Sequence, residues 1–237
     1  MNIWKGKELA DQILAETKAR LEAEDAYGWL NVIVADKEDP YYKGILKDAY
    51  HNRTVIHTYT EAPETYRGAF ISLDPMVAVP DNNNMDGGNT IPCTAEAIVR
   101  MLQWKGFRTE SADVVIIGRS KRVGAPLAHL LTDLDSTVTL AHSLTSGYSL
   151  WHHIANADLV VSCVGNAGFS EKYKQFKPGA TLIDVGGDFV GDIPTNVGNF
   201  VPHIGGIGPI TRAVLLDHTA QPRITGWNSW TLNPSVF

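Results

Sequence analysis

Between Val114 and Pro126 the chain reads VVIIGRSKRVGAP, four branched apolar residues followed by Gly118, Arg119, Ser120 and Gly124. An unbroken branched run suits a parallel strand covered on both faces, and the two glycines free the backbone where an anionic group must come close. A strand that turns tightly into a helix aims backbone N–H groups at one point, the arrangement that holds a pyrophosphate. The spacing G-x-S-x-x-x-G departs from the commoner G-x-G-x-x-G. The next apolar segment sharpens the reading, because it ends in His142, Ser143 and Thr145 with no carboxylate among them. An acid there would accept from ribose hydroxyls, whereas hydroxyls near Arg119, Lys121 and Arg122 suit a phosphorylated ribose. The cofactor these residues predict is NADP.

A formal charge of −6, with 44% hydrophobic and 19% charged residues in 237 positions, is the balance of a soluble globule and offers no basic field for nucleic acid. Cys93 and Cys163 belong to no C-x-x-C pair and no His-rich cluster, so buried thiols of a reducing compartment are expected and no metal site. The amino-terminal MNIWKGKELADQI lacks an apolar signal core, and no run reaches the roughly 18 apolar residues of a membrane span. A cytoplasmic protein with neither a membrane nor a nucleic-acid partner is expected.

Elements must carry these residues. Leu9, Ile13, Leu14 and Leu21 recur at helical spacing over 6–23, and 29–35 reads as an apolar strand. Asp39–Pro40 opens a helix over 41–50, and GAFISL at 68–73 is a second strand. Residues 74–91, with the run PDNNNMDGGN, fit only a loop. Thr94 is the expected N-cap of a helix reaching Gln103, with Ala97, Ile98, Met101 and Leu102 on one face. From Ser111 the alternation is regular, with strands expected at 114–117, 136–141, 159–164 and 181–185 and helices at 124–134 and 149–155. A last helix, 210–219, precedes a tail containing Trp227 and Trp230. The fold class predicted is α/β: a Rossmann-like NADP-binding domain at 104–208, and a smaller α/β catalytic domain at 1–103 completed by 209–237, joined by a long helix.

Six segments in order, PCTAEAI (92–98), VVIIGRSKRVGAPLAHLL (114–131), TVTLAHSLT (137–145), ADLVVSCVGNAGF (157–169), KPGATLIDVG (177–186) and GGIGPIT (205–211), resemble the methylenetetrahydrofolate dehydrogenase/cyclohydrolase family. The resemblance is close over about 120 residues and loose over the first 90. It implies oxidation of 5,10-methylenetetrahydrofolate to the methenyl form with NADP, with hydrolysis to 10-formyltetrahydrofolate in the same cleft, by a homodimer. By resemblance, Gly118, Arg119, Ser120, Gly124, His142, Ser143, Thr145, Val164, Gly165 and Gly206 bind the cofactor. Gly205, Gly208, Pro209 and Thr211 approach nicotinamide and pterin.

On the folate side the family carries a tyrosine and, four residues on, a lysine. Tyr42 is followed at that distance by Leu46, with Lys47 one step further; an ungapped match from Val34 instead puts Lys43 and Lys47 at the two positions. Both registers stand at this point. Ser72 occupies the place of a glutamine that supports the lysine, and Asp86, before Gly87, that of the carboxylate holding the pterin. The residues expected to act are thus Lys47 as acid or base, Tyr42 as ring partner and Asp86 as anchor, with Tyr42, Ser72 and Asp86 binding substrate. The contracted loop and displaced lysine also fit a homologue that binds folate or nucleotide without turnover. Another NADP oxidoreductase, such as a shikimate or glutamyl-reductase relative, shares the half-sheet, but GGIGPIT argues against it.

Overall fold

The computed structural model describes residues 1–61, 69–73, 91–166, 169–189, 191 and 193–220. In chain order its elements are β1 (Asn2–Ile3), α1 (Lys7–Ala23), β2 (Gly28–Ile33), α2 (Pro40–His51), β3 (Thr54–Tyr59), β4 (Ala69–Ser72), α3 (Cys93–Trp104) and β5 (Asp113–Ile117). After these come α4 (Gly124–Asp133), β6 (Thr137–Ala141), α5 (Gly147–Asn156), β7 (Leu159–Ser162), α6 (Phe169–Lys172), β8 (Thr181–Asp184), β9 (Asn199–Val201) and α7 (Ile207–Thr219).

The chain divides into two units, one of Met1–Lys7 and Thr94–Pro209, the other of Glu8–Cys93 and Ile210 onward. The first takes in residues on the N-terminal side of the expected 104–208, and the reasons are local. Asn2 and Ile3 pair in parallel with Asn199 and Phe200 as an edge strand of its sheet. Helix α3 is buried from Cys93 through Val99, and all of it after Cys93 belongs to this unit. Cys93 is already helical, so Thr94 lies inside the first turn and is not the cap.

The first unit carries a six-stranded sheet in the order β1-β9-β8-β7-β5-β6, and every one of its pairings is parallel. Branched runs explain the inner strands: Val114–Ile117 and Leu159–Ser162 are buried throughout, as strands covered on both faces require. Val115, Ile117, Val160, Leu182 and Phe200 form one core with Leu150 and Ile154 of α5. Phe189 completes it, edge-on to Phe169 and to Phe176 at ring separations of 5.8 Å each, a favoured aromatic geometry.

The second unit holds a three-stranded parallel sheet in the order β3-β2-β4. The 28–33 strand is buried except at Trp29. Helix α1 buries Leu9, Ala10, Ile13, Thr17 and Leu21 along one face; the Thr17 hydroxyl shares its polar contacts between the Ile13 carbonyl (2.8 Å) and Asp217 Oδ1 (3.0 Å). Helix α2 starts as expected, with the Asp39 side chain accepting from the Tyr42 N–H at 2.7 Å and Pro40 in the first turn. The fold class is therefore the one expected, with β1, β3, α6 and β9 added.

Candidate functional site

The C-terminal edge of the larger sheet has the geometry of a ligand site. The chain passes from β5 to β6 on one side and returns to β7 on the other, so the loops after β5 and β7 part company there. Such a switch point is where open parallel sheets bind ligands.

Gly118 leaves β5 at φ +114°, a backbone state that a side chain resists. A Cβ on it would stand 2.9 Å from both the carbonyl oxygen and the sulfur of Cys163. At the other end of the bend a Cβ on Gly124 would lie 1.8 Å from the Gly118 carbonyl oxygen. The two glycines are therefore sterically obligatory, and the bend is as tight as backbone permits. Between them Ser120 anchors the turn: its carbonyl accepts from the Ala125 N–H at 3.0 Å and its Oγ from the Val123 N–H at 3.2 Å. Arg119, Ser120 and Lys121 are exposed. The capping residue Val123 gives α4 no side-chain cap; with the Ala125 N–H given to Ser120 and Pro126 lacking one, the start of α4 offers an anion chiefly the helix dipole.

After β6, Thr145 Oγ1 accepts from the His142 N–H at 3.0 Å, and the Thr145 N–H donates to the His142 carbonyl at 2.9 Å. The threonine oxygen is thus occupied as an acceptor while its hydroxyl proton can still be donated. Ser143 is exposed. Val164 is 47% exposed, and Gly165, at φ +75°, has open space where a Cβ would be. A flat group could lie against that backbone. Cys163 itself packs inward, its sulfur donating to the Ile117 carbonyl at 3.1 Å; burial, then the charge of Asp188, push its thiol up to about 12.

Gly205, Gly206, Gly208 and Pro209 form the approach to and first turn of α7, where Pro209 lacks no needed donor. These belong to the larger unit; Thr211, buried, belongs to the smaller one.

In the smaller unit Tyr42 and Lys47 stand on different faces of α2. Tyr42 is buried, and its hydroxyl pairs with Thr58 Oγ1 at 2.6 Å. Lys47 is exposed, about 140° further round α2 at 100° per residue. Lys43 is exposed and ion-paired with Glu38. Ser72 is buried at the end of β4 beside Ile33. Asp86 lies outside the described residues, as do Gly68, Gly87 and the Trp227–Trp230 tail.

A constellation that sequence patterns did not signal stands on α2 instead. Arg212 Nε donates to Asp48 Oδ2 at 2.8 Å, and its guanidinium carbon lies 5.7 Å from the centre of the Tyr41 ring. Burial and then the nearby Cys93 hold the Tyr41 hydroxyl well above the usual phenol range, so it stays a protonated donor at neutral pH. Cys93 Sγ is 3.6 Å from His218 Nδ1. The tyrosine pair was visible in the sequence, but the partners on α7 are remote along the chain, as the Asp48–Arg212 separation of 164 residues shows.

The family model described as tetrahydrofolate dehydrogenase/cyclohydrolase, NAD(P)-binding domain, matches residues 92–224. The chain belongs to the tetrahydrofolate dehydrogenase/cyclohydrolase family. A bifunctional protein FolD from Azoarcus sp. (strain BH72) is 38% identical over 144 residues, covering 54% of this chain and 48% of that protein. The chain thus spans about half the length of the curated relatives it matches. Among solved structures, a 5,10-methylenetetrahydrofolate dehydrogenase from the silkworm Bombyx mori superposes with a TM-score of 0.80 at 22% identity, covering 92% of this chain and 96% of that one. The Trypanosoma brucei methylenetetrahydrofolate dehydrogenase-cyclohydrolase complexed with NADP cofactor and inhibitor gives 0.78 at 22% identity, with 92% and 95% covered. These likenesses show that the family fold extends over both units. The bend between Gly118 and Gly124 falls inside the matched NAD(P)-binding domain. No helix among the described residues is long and apolar enough to cross a membrane.

Proposed function

We propose that this chain oxidises 5,10-methylenetetrahydrofolate to 5,10-methenyltetrahydrofolate with NADP⁺, and hydrolyses the product to 10-formyltetrahydrofolate. The observation that carries the reading is the bend itself, where a Cβ at Gly124 would meet the Gly118 carbonyl oxygen at 1.8 Å, next to a β6 end that offers Ser143 and Thr145 in place of a carboxylate. The residues fit a dinucleotide: backbone at 118–124 for the pyrophosphate, and Arg119 with Ser143 and Thr145 for a phosphorylated ribose. Bound NADP⁺ would accept the hydride that leaves the methylene carbon, giving NADPH and the cationic methenyl bridge.

What the chain must supply is position. Holding donor and acceptor in register contributes several kcal/mol, on the order of 7 in favourable cases, without acid–base chemistry. Val164 and Gly165, with Gly205, Gly206, Gly208 and Pro209, give backbone surface for flat rings; Thr211 and Ser72 with Asp86 would orient the pterin. Hydrolysis asks more, since an attacking water must lose a proton as the bridge opens. In this reading Lys47 serves as the base or acid and Tyr42 as a ring-stacking or polar partner. A second reading, oxidation without hydrolysis, is favoured by the separation of Tyr42, buried, from Lys47, exposed on another face of α2.

The family's homodimer and the cytoplasm complete the reading. The stacked Trp29 and His57, with ring centroids 5.4 Å apart, and exposed Val55 give a second copy an apolar face, and both cysteines are free thiols. The test is an assay of reduced nicotinamide from methylenetetrahydrofolate with NADP⁺ or NAD⁺, then of methenyl decay with the same protein. Reduction favouring NADP⁺ and accelerated decay support both steps; reduction without accelerated decay leaves the oxidation alone. A lack of reduction with either nucleotide refutes the proposal.

A further inference from the structure

Asp184 and Asp188 are 1% and 0% exposed, Asp184 ending β8 and Asp188 in the turn beyond it. A buried carboxylate is tolerated only where hydrogen bonds replace its water, and here they do so in sequence. Asp184 Oδ1 accepts from the backbone N–H groups of Gly187 and Asp188, both at 2.8 Å, and Oδ2 from that of Phe189 at 3.0 Å. That clamp winds 187–189 into a turn. The turn points the Asp188 side chain back toward β7.

Asp188 then uses both oxygens on the neighbouring loop. Its Oδ1 accepts from the Asn166 N–H at 2.6 Å; its Oδ2 accepts from the Val164 N–H at 3.0 Å and the Ser162 hydroxyl at 2.6 Å. With the amides on either side of Gly165 drawn inward, the glycine stands at φ +75° with its open face outward. Gly186 permits the close fit: a Cβ there would lie 2.5 Å from Asp188 Oδ2 and 2.6 Å from the Gly165 nitrogen. This loop leaves β7 beside the Gly118 turn, on the switch-point side of the sheet.

We propose that Asp188 is a positioning residue for the dinucleotide: by accepting from Ser162, Val164 and Asn166 it holds the Val164–Asn166 loop in the shape that receives the cofactor. The inference rests on the proposed cofactor role of that loop and deepens it. A carboxylate is required because both oxygens face donors. An asparagine would turn its NH₂ toward either the Val164 or the Asn166 N–H, and a donor cannot satisfy a donor. A loop ordered before binding spares the cofactor the cost of ordering it.

The test compares NADPH affinity, by titration of the intact protein, with steady-state constants for NADP⁺ in the wild type, Asp188→Asn and Gly186→Ala. Both variants are expected to weaken NADPH binding and raise the KM for NADP⁺ at least tenfold, while kcat at saturating NADP⁺ stays within about threefold. Gly186→Ala removes no polar group, so it decides the matter if Asp188→Asn fails to fold. A folded variant whose thermal midpoint falls while its NADPH affinity and KM stay at wild-type values would overturn the role, leaving Asp188 merely structural. Wild-type protein that binds no NADPH would overturn the cofactor reading itself, and this inference with it.

Discussion

Arg212 and Asp48, 164 residues apart, meet with Nε donating to Oδ2 at 2.8 Å. Their side chains are 23% and 19% exposed, dry enough for the pair to matter. The contact is admitted by Gly44, where a Cβ would lie 3.0 Å from Arg212 Nε. A glycine inside a helix costs roughly 0.5–1 kcal/mol, and here it makes room for a guanidinium that ties α7 to α2 within the smaller unit.

Asp48→Ala strands that guanidinium, and unfolding stability is expected to fall by about 1–3 kcal/mol. In an Arg212→Ala background the same change should cost much less. Urea denaturation of the four proteins in the double-mutant cycle measures the coupling.

Gly124→Ala drives a methyl group onto the Gly118 carbonyl oxygen, 1.8 Å away before relaxation, so the bend must open. NADPH affinity should drop at least about tenfold, equivalent to roughly 1.4 kcal/mol, and stability by about 1–3 kcal/mol. Calorimetric titration and a thermal melt check the two effects separately.

Cys163 predicts the alkaline limit of the larger unit. Its folded thiol titrates at about 12, raised first by burial and then by Asp188, against roughly 8.5 in an unfolded chain. A raised folded value favours the folded state fully below the unfolded value, and that contribution fades as pH climbs from about 9 toward 12. Cys163→Ala should flatten the loss of stability over that window. At a pH of about 8 iodoacetamide should leave Cys163 of the folded protein unmodified and label it after denaturation, which peptide mass analysis reads directly.

Lys47→Met separates the two chemical steps. Hydride transfer needs positioning alone, so NADPH formation should stay within about threefold, while methenyl decay should slow by at least about tenfold, as loss of a general base or acid implies. Unchanged decay would remove Lys47 from the site.

The dinucleotide half was legible because its strands are buried runs of Val, Ile and Leu, punctuated by Gly118, Gly124 and the Lys177–Gly179 turn. Strand β3 was not: it comes after α2 with only Asn52 and Arg53 between, the turn being made by Arg53 at φ +51° without glycine or proline. As an edge strand it also alternates exposed Val55 and His57 with less exposed neighbours. Strands β1 and β9 are two and three residues long and gain meaning only by pairing, β1 with β9 across the chain and β9 with β8. Asp188 escaped for a similar reason. In the segment VGGDF an aspartate reads as a turn former, and its contacts with Val164 and Asn166 come from another loop. The site proposed for the smaller unit rests on resemblance alone, since Tyr42 and Lys47 carry no periodicity that distinguishes a ligand contact from a core or surface position.

In the proposed reaction a hydride passes from the folate methylene carbon to NADP⁺ held at the Gly118–Gly124 bend. Methylenetetrahydrofolate dideuterated at that carbon, turned over with NADP⁺, tests it by mass analysis of the nucleotide. NADPH carrying one deuterium, at a rate that falls in Gly124→Ala, is the predicted result. NADP⁺ recovered unreduced, or NADPH formed without deuterium, would contradict it.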